Sequence, residues 1–183
     1  QITRGINFIN KHTIESEKNA SFLKLAKKAS GKGNYKETEQ IVALLESRIS
    51  EKKEVELYAD LRLFQFDLYQ QYHKPKKLMR IAQMFKKIKF SDYQKEEATT
   101  KIAAVVGSKQ VILKKDFSKQ DQSYDKGVLT EIISYFDILA IVNNKEKALY
   151  EYYKAETYYS VHRFQDALNS YKVSLIDYEK KLS

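Results

Sequence analysis

Apolar residues recur at spacings of three and four along most of the chain, which is the pattern of amphipathic α-helices. The pattern breaks at short polar points and at points that carry glycine or proline, so it divides the chain into helices joined by turns. The clearest predicted helices are 14–30, 35–50, 55–72, 126–142, 145–159 and 164–182, and the polar stretch 117–125 is predicted to be a loop.

The middle of the chain gives a less regular pattern. Pro75 suits the first turn of a helix over 75–89, and Ser91 with Gln94 resembles a capping box that opens another helix directly afterwards. Gly107 interrupts the apolar run that follows. Glycine costs about 1 kcal/mol in a helix interior, so a kink or an early helix end is expected there. The chain is thus predicted to hold eight or nine helices.

Composition narrows the class of protein. The 183 residues include only 5 Gly and 1 Pro, too few turn residues for a β-sandwich or β-barrel. No stretch of 18 apolar residues occurs, so no membrane-spanning segment is predicted. The chain has no cysteine, which excludes disulfides, thiolate metal sites and thiol nucleophiles but leaves the compartment open. Because it opens on Gln1 instead of methionine, we expect it to be a piece of a longer protein.

The formal net charge of +9 lies in the first half of the chain. Residues 1–90 hold 19 Lys and Arg against 10 Asp and Glu, whereas residues 91–183 hold 14 of each. The predicted helix 75–89 has no acidic residue, and its apolar side faces away from four cations, Lys76, Lys77, Arg80 and Lys87. This basic helix is either a site for nucleic acid or an anionic surface, or a solvated face that keeps the protein soluble.

Residues that would carry catalysis or hold a cofactor are not found at suitable spacings. The three histidines, His12, His73 and His162, have no second metal-ligating residue positioned to share a helix face with them. The Gly-Lys-Gly turn at 31–33 lacks the frame of a phosphate-binding loop and follows a helix instead of a strand. We therefore predict no enzymatic activity, no cofactor and no metal site.

Two stretches resemble the tetratricopeptide repeat, a helix-turn-helix unit of about 34 residues. In the C-terminal stretch, small and aromatic residues occupy the positions that the family uses: Ala155, Tyr158, Phe164, Ala167 and Tyr171. The N-terminal stretch matches through Phe22, Leu25, Ala26, Ala29, Gly33, Tyr35, Val42 and Leu45. Two departures are that His162 replaces the usual turn glycine and Thr38 replaces an alanine.

The resemblance implies an all-α, tetratricopeptide-like α-solenoid of about four antiparallel helical hairpins, forming one domain over residues 1–183. Its motif-bearing stretches are 19–52 and 148–181, and residues 55–142 form two divergent hairpins, 55–89 and 92–142. The other interpretation is a helical bundle without a repeat, whose apolar stripes imitate the motif.

The resemblance also implies a concave face that binds an extended peptide or a partner helix. It places five residues on that face: Leu23, Lys27, Tyr152, Glu156 and Tyr159. We therefore expect a protein- or peptide-binding domain of a larger regulator or assembly. The alternatives are a signalling-peptide sensor of a bacterial regulator and electrostatic binding of nucleic acid or an anionic surface through the basic helix.

Overall fold

The computed structural model describes residues 2–117 and 123–182, and over these ranges it contains helices and turns but no β-strand. This confirms the predicted all-α class. In chain order the helices are α1 (Ile2–His12), α2 (Glu15–Gly31), α3 (Tyr35–Arg48), α4 (Val55–Gln71), α5 (Pro75–Phe85), α6 (Asp92–Phe117), α7 (Lys126–Val142), α8 (Lys147–Tyr159) and α9 (Phe164–Leu182), with a short 3-10 helix, Asn144–Glu146, before α8.

Helix boundaries agree with the sequence where a local signal defines them. Both α7 and α9 begin and end at the predicted residues. The capping box before α6 is confirmed, since the Gln94 N–H donates to Ser91 Oγ at 3.3 Å and the Ser91 N–H donates to Gln94 Oε1 at 3.1 Å. The early end expected at Gly107 is wrong, because α6 continues to Phe117. Most of the loop predicted at 117–125 lies outside the described residues.

The chain divides into two compact units, Gln1–Gln94 and Lys95–Ser183, with the boundary in the first turn of α6. Unit 1 holds α1 to α5, and unit 2 holds most of α6 together with α7, α8 and α9. Unit 1 contains 19 Lys and Arg against 11 Asp and Glu, whereas unit 2 contains 14 against 13, so the positive charge belongs to unit 1. The single domain over residues 1–183 stays a prediction.

In three helical hairpins, α2/α3, α4/α5 and α8/α9, the turn that joins the two helices has the same backbone geometry. One residue of each turn has a positive φ: Gly33 (74°), His73 (51°) and His162 (58°). The next residue then donates its N–H to the carbonyl five residues earlier, at 3.1, 2.8 and 2.9 Å: Asn34 to Ala29, Lys74 to Tyr69 and Arg163 to Tyr158. This is the Schellman helix ending, and in all three hairpins the second helix begins two residues after the positive-φ residue.

The three hairpins also bury equivalent positions. The residue seven places before the positive-φ residue is fully buried in each hairpin: Ala26, Phe66 and Ala155. The residue five places after it is buried as well: Thr38, Leu78 and Ala167. Each hairpin therefore packs its two helices in the same register about its turn.

The third predicted hairpin, over 92–142, differs from these three. Helix α7 lies closer to α8 than to α6, although Lys109 of α6 forms an ion pair with Glu131 of α7. The most closely packed pair in unit 2 is α8/α9. There the Ser174 hydroxyl donates to the Ala148 carbonyl at 2.7 Å, a bond between the side chain of one helix and the backbone of the other.

Candidate functional site

The α8/α9 hairpin presents a row of exposed apolar and aromatic side chains from both helices. On α8 these residues recur at the spacing of one helix face, and on α9 they recur every three or four residues. Seven of them are between 41% and 58% exposed: Leu149, Tyr152, Tyr159, Phe164, Leu168, Leu175 and Tyr178. Together with the half-buried Tyr171 and the exposed Glu156 between them, these residues form what we name the α8–α9 aromatic face.

Contacts between the two helices make this face continuous. The rings of Tyr152 and Tyr171 lie 5.8 Å apart, and those of Tyr159 and Phe164 lie 5.4 Å apart. The Tyr171 hydroxyl of α9 donates a hydrogen bond to the Glu156 carboxylate of α8. This hydrogen bond favours the protonated phenol and, with burial and the carboxylate charge, raises the pKa of Tyr171 to about 12.

One end of the face deepens into a cleft of about 460 Å³. Its walls are Leu149 and Tyr152 of α8 and Leu175 and Tyr178 of α9. Three charged residues also line it: Glu146 pairs with Lys181 at 3.7 Å, and Lys145 has no carboxylate partner among the described residues. The cleft is therefore mainly apolar, with one cation in its lining left unpaired by that part of the chain.

The extent of the face distinguishes it from ordinary surface. Four of the seven side chains are aromatic, with about 150–250 Å² each, and three are the somewhat smaller leucines, so at about half exposure they present on the order of 700 Å². The largest apolar patch of a typical monomer is about 300–600 Å². A standard protein interface buries about 800 Å² on each partner. The α8–α9 aromatic face is therefore of the size of one side of an interface.

The structure brings three of the sequence-predicted partner-binding residues onto this face. Tyr152, Glu156 and Tyr159 are all exposed on the same side of α8. The other two predicted residues lie on α2 in unit 1, where Lys27 is exposed. Leu23 is only 4% exposed and belongs to the core of that unit, so only Lys27 of this pair is accessible to a partner.

The α9 half of the face is absent from the sequence prediction. Its signal is present, because apolar residues follow α9 at intervals of four, three, four and three from Phe164 to Tyr178. Val173 and Ile176 add further exposed apolar surface on another side of the same helix. One buried stripe would not need so many apolar residues, and this excess indicates a second contact surface.

The cations of the basic helix are exposed on α5 and just beyond its end. Lys76, Lys77 and Arg80 lie on the helix, whereas Lys87 follows it because α5 ends at Phe85. The Lys77 ammonium forms an ion pair with Glu39 of α3 at 2.5 Å. The Glu39 carboxylate accepts this bond and raises the pKa of Lys77.

Within the described ranges the structure shows neither a group of three or more metal-ligating side chains nor a helix that is apolar enough over a sufficient length to cross a membrane. No family model matches the chain, and neither a curated protein nor a solved structure matches it.

Proposed function

We propose that this protein is a helical-repeat interaction module that binds an amphipathic helix of a protein partner on the α8–α9 aromatic face. The observation that supports this proposal is the size and continuity of that face. It exposes more surface than the largest apolar patch of a typical monomer. No catalytic role is part of the proposal.

The shared geometry of three hairpins supports the repeat. The turns after α2, α4 and α8 use the same Schellman ending, and the flanking helices bury equivalent positions. A tetratricopeptide-like solenoid of about four hairpins would give this regularity, since each repeat unit cannot bury its apolar faces alone and uses its neighbours for this purpose.

The chemistry of the face favours a helix over an extended peptide as the occupant. An extended peptide would bring backbone N–H and C=O groups into a groove whose walls are leucine side chains and tyrosine rings. Few polar groups of the groove could form hydrogen bonds with that backbone. A helix satisfies its backbone internally and packs its side-chain ridges into the groove between two other helices. The α9 row from Phe164 to Tyr178 is about 21 Å long, so it accommodates roughly four helical turns.

Charge at the rim defines the partner further. Lys145 lies at the cleft and Lys172 is exposed on the outer side of the α9 row, and neither has a carboxylate partner within the described residues. The partner helix should therefore carry Asp or Glu beside its apolar stripe, where pairing with these lysines orients it.

A designed peptide tests this function on the intact chain. The probe is a labelled helical peptide with leucines on one face and glutamates on its flanks, followed by fluorescence anisotropy. A peptide of the same composition in scrambled order is the negative control. We expect saturable binding of the helical peptide only. Equal binding of the scrambled peptide would contradict the proposal.

Matched variants of α9 separate the face from general hydrophobicity. The double substitution Leu168→Asp with Leu175→Asp alters the face, and Val173→Asp with Ile176→Asp alters equally exposed apolar residues on another side. We expect the first to weaken peptide binding by roughly tenfold or more and the second to leave it unchanged. A similar loss in both would refute the assignment of the face. A dimer of this chain that only the first variant dissociates would show that the occupant is a second copy.

A second candidate function rests on the charge of unit 1, where the cations exceed the acids by eight. Lys76 and Lys87 are exposed and have no carboxylate partner in the described part of the chain. If they bind nucleic acid or an anionic surface, retention of DNA, RNA or anionic vesicles should fall steeply with salt. Lys76→Glu combined with Lys87→Glu should then abolish it. Absence of retention at physiological salt would exclude this function.

A further inference from the structure

A second cleft, of about 340 Å³, lies entirely within unit 1 between α3, α4 and α5. Its charged lining comes from all three helices: Glu39 and Glu46 of α3, Arg62 of α4, and Lys77 and Arg80 of α5. The ring of Tyr69 and the side chains of Ile81 and Met84 provide apolar wall. The cleft is independent of the α8–α9 aromatic face, which belongs to unit 2.

Arg62 is the unusual member of this lining. It is only 8% exposed, and its guanidinium stacks over the ring of Tyr58 at 4.7 Å. The Nη1 group donates to the Glu46 carboxylate and to Gln65 Oε1. The Nε–H has no hydrogen-bond partner among the described residues and is too deeply buried for a ligand to reach. The Nη2 group makes no hydrogen bond there either, but it is not one of the fully buried polar atoms, so it is the donor that a ligand in the cleft can reach.

The accessible end of Arg62 has a specific chemistry. Its Nη2 group carries two N–H donors and shares the positive charge of the guanidinium, so it donates charge-assisted hydrogen bonds to a carboxylate or phosphate oxygen. The protein's own carboxylates are engaged elsewhere in the cleft, since Glu46 accepts from Nη1 of Arg62 and Glu39 accepts from Lys77. The acceptor that Nη2 lacks among the described residues is therefore a ligand or water.

The charge balance of the cleft selects among anions. Two of the three cations are paired with carboxylates, and Arg80 has no carboxylate partner in the described ranges. One net positive charge is left, which a monoanion neutralises. A phosphate dianion would add a second negative charge close to Glu39 and Glu46, and like charges at short range repel.

We infer that this cleft of unit 1 binds a small organic acid, whose carboxylate pairs with Arg62 and Arg80 and whose short apolar body lies against Tyr69, Ile81 and Met84. The volume of about 340 Å³ is at the lower end of that of small-molecule sites and suits a body of a few carbon atoms.

Titration of the full chain with sodium hexanoate tests this site, with ¹⁵N NMR of the arginine side chains as the readout and chloride keeping the ionic strength constant. We expect the Nε–H signal of Arg62 to shift and to saturate by about 10 mM, where even a millimolar site is mostly filled. Hexanamide, which has the same body without the charge, should cause no shift. Inorganic phosphate should bind more weakly than hexanoate.

Two variants of α5 remove one positive charge each and differ only in position. Arg80→Gln removes a cation of the cleft and should weaken hexanoate binding roughly tenfold or more, whereas Lys76→Gln removes an exposed cation outside the cleft and should not change it. Equal weakening in the two variants, tighter binding of phosphate, or no saturable shift in the wild type would overturn the inference.

Discussion

Replacing Ala167 by leucine should destabilise unit 2 and disturb the α8–α9 aromatic face without changing any residue of that face. Ala155 and Ala167 are 0% and 1% exposed, in the most closely packed helix pair of the unit. The Ser174 side chain of α9 donates a hydrogen bond to the Ala148 carbonyl of α8, so the two helices lie close enough for a side chain of one to reach the backbone of the other. No room for a larger side chain is left between two helices at this separation.

The magnitude follows from the number of atoms added. Alanine to leucine adds three carbon atoms to a fully buried position, and overpacking of this kind costs about 1–3 kcal/mol. For a chain of this length each kcal/mol lowers the melting temperature by about 2–4 °C, so a loss near 2–3 kcal/mol corresponds to roughly 4–12 °C. The helices relieve the clash by separating, which widens the gap between the rings of Tyr152 and Tyr171, now 5.8 Å.

Thermal unfolding followed by circular dichroism measures this change. The matched control is Ala103→Leu, which adds the same atoms at an exposed position of α6 in the same unit and should alter stability by no more than about 0.5 kcal/mol. Peptide binding should weaken in Ala167→Leu alone. If both variants melt at the wild-type temperature, small residues are not what sets the spacing of α8 and α9.

Three further changes test single features of the fold. Gly107→Ala should stabilise the chain by about 0.4–1 kcal/mol in urea unfolding, because the helix continues through Gly107 and an added Cβ would meet open space. Gln94→Ala should lower the free energy of unfolding by about 1–2 kcal/mol, because it removes half of the capping box and two part-buried hydrogen bonds to α4, with a smaller loss contradicting the role of the cap. In an absorbance titration the phenol of Tyr171 should ionise near pH 12, and Glu156→Gln should lower that pKa. Because the folded-state pKa is raised, this contribution to stability is complete below about pH 10 and is lost as the pH rises towards 12.

Local signals were sufficient for most of the helices but not for α1. The first residues of the chain include Gly5 and two asparagines, Asn7 and Asn10, which have low helix propensity, so no helix is predicted there. In the structure Ile2 and Ile9 are buried, and a Cβ at Gly5 would lie 3.1 Å from Leu25 of α2. Glycine at this position allows α1 to approach α2 closely, and such a contact between helices cannot be recognised from the segment itself.

The candidate site was predictable only in part, for a related reason. Helical periodicity identifies an apolar side of α2 or α9 but does not say whether another helix covers it. Leu23 lies on a covered side, and Leu168 and Leu175 lie on an uncovered one, although all three are leucines in amphipathic helices. Tyr152 and Tyr159 were predicted through the resemblance to the tetratricopeptide repeat, which places residues of the first helix of each unit on the binding face.

The likeness among the three hairpins is clearer in the backbone than in the sequence. Only one of the three Schellman turns has glycine at its positive-φ position, and the other two have histidine. Histidine is enriched among the non-glycine residues that adopt the left-handed backbone region, although glycine adopts it more readily. A motif search that expects glycine therefore finds the turn at Gly33 and passes over His73. The α4/α5 hairpin nevertheless buries Phe66 and Leu78 at the positions where α8/α9 buries Ala155 and Ala167. Large residues in one hairpin and alanines in another occupy equivalent places, so backbone geometry and burial are shared where side-chain identity is not.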